Sequence, residues 1–129
     1  MMKHIKPSLL PSKILLAEDD ILNAMVIQDT LNLAGHTVIG PAKTVPTALH
    51  LIEETDIDAA VVDLQLSDGA SWDIGAKLED LHIPWMFTTG HTLDTIDSEF
   101  AHVPVLLKPF SIRELIECTE ILILSRKRL

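Results

Sequence analysis

Four short groups of residues carry the chemistry of this chain: Glu18-Asp19-Asp20, Asp63, Thr88-Thr89-Gly90 and Lys108-Pro109. Each follows a short apolar run. Carboxylates gathered within a few ångströms repel one another, by roughly 4 kcal/mol per pair at 4 Å and an intermediate dielectric. Such a cluster calls for a cation, and a hard divalent ion with oxygen ligands suits it. Magnesium takes one or two carboxylates, several waters and a phosphate oxygen. Lys108 would add a mobile positive charge fit to hold a phosphoryl oxygen, and Thr89 a hydroxyl donor at the same rim. Together the groups describe a carboxylate nucleophile, a metal and two donors around a transferring phosphoryl group. Each also has a plain structural reading. A strand-end aspartate caps a helix or forms a turn, Lys-Pro ends a strand, and a threonine fills one. Ser67-Asp68-Gly69 reads as a turn and nothing more. It is their joint occurrence, in order and each at the end of an apolar run, that singles them out.

The elements that must position them alternate. The apolar runs are KILLA (13–17), TVIG (37–40), AAVV (59–62), WMFT (85–88) and VPVLL (103–107). Apart from the weaker second one they are apolar almost throughout, as in strands covered by helices on both faces. Between them lie helical patterns. The first spans Ile21 to Ala34 and stops at Gly35, a left-handed C-terminal residue. The second carries Val45, Ala48, Leu49 and Ile52 on one stripe, behind Thr44 as N-cap and Pro46 in the first turn. Ile74, Leu78 and Leu81 mark a third. The last opens on the capping box Ser111 to Glu114 and puts Ile112, Leu115, Ile116, Thr119, Leu122 and Ile123 on one face. Five strands alternating with helices predict a doubly wound parallel sheet with right-handed crossovers. Its working site belongs beyond the C-terminal strand ends, where all four groups fall.

Composition narrows the function classes. The 129 residues suffice for one domain, 47% of them are hydrophobic, and no apolar run is long enough for a membrane helix. The expected layout is a loose leader over 1–12, one domain over 13–126 and a tail over 127–129. A net charge of −9 opposes non-specific nucleic-acid binding, and the terminal SRKRL reads as complementing a helix dipole. A single cysteine, Cys118, rules out an internal disulfide and fits a reducing cytoplasm. The six histidines (His4, His36, His50, His82, His91 and His102) show no ligand spacing and read as scattered over the surface. Trp72 and Trp85 read as packing residues.

The segments ILLAEDD, VVDLQLSDG, FTTG and LLKPF, at this spacing, resemble the receiver domains of two-component signalling from residue 13 to about 125. The resemblance implies the flavodoxin-like five-stranded sheet with strand order 2-1-3-4-5. It makes Asp63 the phosphoacceptor, Thr89 the switch hydroxyl and Lys108 the phosphate-side lysine. Magnesium would be held by Glu18, Asp19, Asp63 and the backbone carbonyl of Gln65, with Asp19 a direct ligand. A cis bond before Pro109 also belongs to the pattern. AGHTVIGPAKTV, LSDGASWDIG, IPWMFTTGH and HVPVLLKPF resemble, more narrowly, the alphaproteobacterial subgroup called FAT GUY, with FTTGH in place of its motif. Where many receivers carry an aromatic residue three positions before the lysine, this chain has Val105. The polar stretch HTLDTIDSEFAH offers at most a short helix, and its ordering on phosphorylation would replace an aromatic switch. Gln65 and His91 are placed to tune the lifetime of the phosphate.

The implied function is that of a single-domain response regulator, phosphorylated by a sensor histidine kinase or histidine phosphotransferase. By the resemblance, the first turns of the helix after Asp20 and the loop after Pro109 would form the docking surface for that donor. It would signal to a downstream protein or drain phosphate from another relay, without nucleic-acid or membrane partners. It would not be an enzyme beyond its own phosphoryl transfer and dephosphorylation. The competing reading from another class is a receiver-like interaction module independent of phosphate. A phosphatase of the haloacid dehalogenase type would need an aspartate where Gln65 stands, and a nucleophile after the first strand. A dinucleotide-binding enzyme would need glycines where AEDDILNA stands.

Overall fold

The computed structural model describes residues 6–90 and 96–127. His4 and His91 therefore lie outside the described residues. Strands β1 (Lys13–Ala17), β2 (Thr37–Ala42), β3 (Ala59–Asp63), β6 (Trp85–Thr89) and β7 (Val105–Leu107) form one sheet in the order β2-β1-β3-β6-β7. Every neighbouring pair is parallel. Counted within this sheet alone, the order is the expected 2-1-3-4-5. Two very short strands, β4 (Gln65–Leu66) and β5 (Gly69–Ala70), form a separate antiparallel hairpin just beyond β3. Its turn is Ser67-Asp68, and Gly69, which opens β5, has φ of +136°. The sequence reads this stretch only as a turn, because two-residue strands carry no periodicity.

Among the described residues four α-helices flank the sheet: α1 (Ile21–Leu33), α2 (Val45–Glu54), α3 (Trp72–Asp80) and α4 (Ile112–Lys127). Side chains cap the starts of α1, α2 and α4, the last two as the sequence predicts, while α3 has no side-chain cap. Asp20 accepts from Asn23 N–H at 3.1 Å and Thr44 Oγ1 from Thr47 N–H at 3.3 Å. The Ser111–Glu114 capping box closes reciprocally, both bonds at 3.0 Å. α1 ends one residue before Ala34, with Gly35 at φ +98°. Of the segment expected to be barely helical, the described part holds one 3-10 turn, Ser98–Phe100.

The core divides between the two faces of the sheet. Leu15, Ala60, Val62, Trp85 and Phe87 pack with Ala48 and Ile52 of α2 and Ile74 and Leu78 of α3. Ile14, Leu16, Val61, Met86 and Leu106 pack with Ile27 and Leu31 of α1 and Leu115, Leu122 and Ile123 of α4. Successive strand residues point to opposite faces, which sorts each strand into these two sets. Both tryptophans serve packing as expected: Trp85 is buried, and Trp72 packs against the first cluster.

Several expectations are corrected. β2 runs on through Gly40-Pro41-Ala42, and β7 begins only at Val105. Leu81 lies past the end of α3 and is exposed, as is Ile112 in the first turn of α4. His36 is not a surface residue. It is buried, its Nδ1 accepts from Ser12 N–H at 3.1 Å, and its Nε2 lies 2.9 Å from Glu120 Oε2. With Nδ1 accepting, Nε2 carries the hydrogen that Glu120 accepts. Glu120 also accepts from Ser8 Oγ at 2.6 Å, and Ser8 N–H donates to Ala34 O at 2.7 Å. These bonds tie residues before β1 to α1 and α4.

Candidate functional site

The chemistry-bearing residues meet at the C-terminal edge of the sheet because β3 and β6 are buried along their whole length, β1 is buried beyond Lys13, and all deliver their last residues to one rim. β1 hands over to Glu18 and Asp19, β3 ends on Asp63, β6 on Thr89, and β7 leads into Lys108. One carboxylate oxygen from each of Glu18, Asp19 and Asp63 lies within 4.8 Å of the others. Glu18 and Asp63 are buried, and Asp19 is half-buried. Lys108 Nζ bridges the first two, at 2.9 Å from Glu18 Oε1 and 2.8 Å from Asp63 Oδ2.

Neighbouring backbone groups fix the remaining lone pairs. Gln65 N–H donates to Asp63 Oδ1 at 3.1 Å, and Asp20 N–H to Glu18 Oε2 at 3.1 Å. Ser67 Oγ donates to Asp19 Oδ2 at 3.3 Å, so the β4–β5 hairpin touches the cluster. Ser71, fully buried at the start of α3, donates to Asp63 O at 2.8 Å and lies 3.1 Å from Leu64 O. It anchors the end of β3 to the helix that follows. Lys108 N–H donates to Thr89 O at 2.8 Å, which holds the lysine backbone against β6. The Lys108–Pro109 bond is cis, as the resemblance implies.

The electrostatics are lopsided. Three carboxylates face one ammonium, an excess of two negative charges if all are ionised. Burial, reinforced by the adjoining Asp63 carboxylate, pushes Glu18 from the usual 4.5 up to about 7, although Lys108 pulls the other way. Burial alone would lower the Lys108 ammonium, but its bonds to Asp63 and Glu18 outweigh that and leave it above its ordinary value. A site with hard oxygen donors and surplus negative charge fits a divalent cation such as magnesium. Glu18, Asp19 and Asp63 are the side chains that would hold it.

Every predicted site side chain thus lies at this rim, with Gln65 on the adjoining hairpin. Sequence reasoning missed two residues. Ser71 is invisible because its partners are backbone carbonyls. Thr88 is grouped with Thr89 in the sequence but given no role of its own, yet it is the register partner of Asp63. Its place beside Asp63 follows only from the register of β3 against β6.

Fold and site together define a doubly wound α/β domain with an acidic, lysine-bridged site at the C-terminal edge of its sheet. The family model of the response regulator receiver domain matches residues 14–120, and the chain belongs to that family. The phyllosphere-induced regulator PhyR of Methylorubrum extorquens is 30% identical over 103 residues, which cover 77% of this chain and 39% of that protein. The chain therefore spans well under half the length of this relative. The crystal structure of the response regulator PhyR from Brucella abortus superposes with a TM-score of 0.82 at 26% identity, over 94% of this chain and 51% of that one. The solution structure of SdrG from Sphingomonas melonis Fr1 gives 0.77 at 36% identity, over 87% of this chain and 96% of that one. A BeF3-activated conformation of SdrG gives 0.74 at the same 36% identity, over 86% of this chain and 95% of that one. These relatives agree with the alphaproteobacterial resemblance drawn from the motifs. Among the described residues no helix is long and apolar enough to cross a membrane.

Proposed function

We propose that this receiver domain is a phosphorylation-driven switch in which Asp63 accepts a phosphoryl group from a phosphohistidine donor, with magnesium bound by Glu18, Asp19, Asp63 and the Gln65 carbonyl. The observation that carries this reading is the Lys108 bridge between Asp63 and Glu18 inside a cluster of three carboxylates. In the transfer an Asp63 carboxylate oxygen attacks phosphorus, the new O–P bond forms, and the donor's P–N bond breaks with its electron pair returning to the imidazole. Gln65 N–H fixes the rotation of the Asp63 carboxylate. Lys108 then follows the charge onto a phosphoryl oxygen, and Thr89 supplies a hydroxyl donor from the end of β6. When bound, the magnesium ion neutralises charge on the phosphoryl oxygens and offsets repulsion among the carboxylates. Support also comes from SdrG, a relative with a BeF3-activated conformation, since beryllofluoride mimics a phosphoryl group.

The donor would dock on α1. Ile21, Leu22, Met25 and Val26 are 61%, 75%, 54% and 50% exposed, an apolar patch beside the acidic cluster. A helix apolar on both its buried and its outer face suits a partner helix. The net charge of −9 disfavours nucleic acid.

The test is the covalent mass of the intact protein after incubation with acetyl phosphate. Wild type should gain one phosphate with magnesium and none with a chelator, and Asp63→Asn should gain none in either. A folded wild type that takes no phosphate and binds no magnesium would replace this reading with the phosphate-independent interaction module.

A further inference from the structure

We infer that Thr88 is a positioning residue for Lys108, its hydroxyl accepting a hydrogen bond from the ammonium once Asp63 carries a phosphoryl group; this rests on the function proposed above. β6 lies between β3 and β7 in the sheet. Lys108, just after β7, nonetheless reaches Asp63 at the end of β3 and Glu18 beyond β1. Its side chain therefore crosses over the end of β6.

Alternation identifies what it crosses. Met86 and Leu106 both lie in the core under α1 and α4, so Thr88 and Lys108, each two residues on, project from the same face. Ala59 and Val61 place Asp63 there as well. Thr88 is the register partner of Asp63 on one side and of Leu106 on the other. It is the β6 residue beneath the path of the lysine.

Thr88 is 1% exposed, and its Oγ1 has no hydrogen-bond partner among the described residues. A buried hydroxyl left unpaired is unfavourable, and a valine of the same shape would carry no such penalty. An ammonium has three donors, and here two are taken by Asp63 and Glu18. Esterification of Asp63 moves its charge outward onto the phosphoryl oxygens, and Lys108 must turn from the carboxylates to follow it. The Thr88 hydroxyl then takes a freed N–H and keeps the ammonium over β6. The group unpaired in the resting protein is paired in the phosphorylated one.

The experiment compares wild type, Thr88→Val and Thr88→Ser as full chains. It measures the rate of adduct formation with acetyl phosphate and magnesium over a range of donor concentrations, and urea unfolding of the unphosphorylated proteins. Thr88→Val should be at least as stable as wild type yet react about tenfold more slowly, the effect of one hydrogen bond to a charged group. Thr88→Ser, which keeps the hydroxyl, should react close to the wild-type rate. Thr88→Val reacting like wild type would overturn the inference, as would Thr88→Ser reacting as slowly as Thr88→Val. So would a Thr88→Val protein less stable than wild type, since the hydroxyl would then be paired in the resting fold. A folded wild type that takes no phosphate would remove the proposed function, and this inference with it.

Discussion

The two faces of the sheet are built differently. Under α2 and α3 the core is aromatic and closely interlocked. Trp72 stacks on Phe100 at 5.5 Å and 3° between planes, and meets Phe87 edge-on at 5.6 Å. Trp85 packs edge-on against Phe87 at 4.4 Å. Gly75 lets α3 settle onto the Trp85 ring. Under α1 and α4 the core is aliphatic and interrupted by polar groups: Thr30 and Thr119 on the helices, then Asp63, Thr88, Glu18 and Lys108 at the upper rim. The first face fixes the strands by shape alone. The second holds its rim together with charge and hydrogen bonds, which can change partners. Asp63, Glu18 and Lys108 stand on the second face, the one whose core is interrupted by polar groups.

The sharpest break of that contrast is at Phe87. Replacing this fully buried ring by alanine should lower the unfolding free energy by about 3–5 kcal/mol, measured by urea denaturation. Gly75→Ala comes next. Its added carbon would overlap Trp85 Cη2, so overpacking should cost roughly 1–3 kcal/mol. On the polar face the effects turn on pH and cation instead.

Glu18 is raised from 4.5 to about 7 in the fold, so between those values the folded state keeps a proton that the unfolded chain has lost. In chelator, its contribution to stability is complete below pH 4.5 and declines as pH rises through about 7. Glu18→Gln should flatten that decline in unfolding midpoint. Magnesium should stabilise wild type more at pH 8 than at pH 6, where the proton on Glu18 competes with it. A decline in midpoint that persists in Glu18→Gln would place the titrating group elsewhere.

The smallest effect is at Cys118, half-buried in α4. Burial and the nearby Glu114 and Glu117 push its thiol up, so less thiolate forms at a given pH. Alkylation by iodoacetamide at pH 8 should be slower than for a free cysteine, and should catch up once the protein is unfolded in urea.

The strands, the helix caps and the gathering of the site were legible because each depends on residues close in sequence. Asp63, Thr89 and Lys108 stand at the ends of buried runs, and the capping box announces α4 by itself. What was hidden depends on distant partners. The burial of His36 rests on Glu120, 84 residues away. The anchoring of β3 by Ser71 rests on backbone carbonyls. Leu81 looked like part of a stripe, but α3 stops at Asp80, so its position has no core to face. The Lys108 bridge across β6 becomes visible only once strand order and register are combined.

The central claim, that Asp63 is the phosphoacceptor, is tested most directly by trapping. Acyl phosphates are reduced by borohydride, which would turn a phosphorylated aspartate into homoserine. After reaction with acetyl phosphate and magnesium, reduction and peptide mapping, homoserine should appear at position 63 and at no other aspartate. Homoserine at Asp19, Asp20 or Asp68 instead, or at no position in a folded, magnesium-loaded protein, would contradict it.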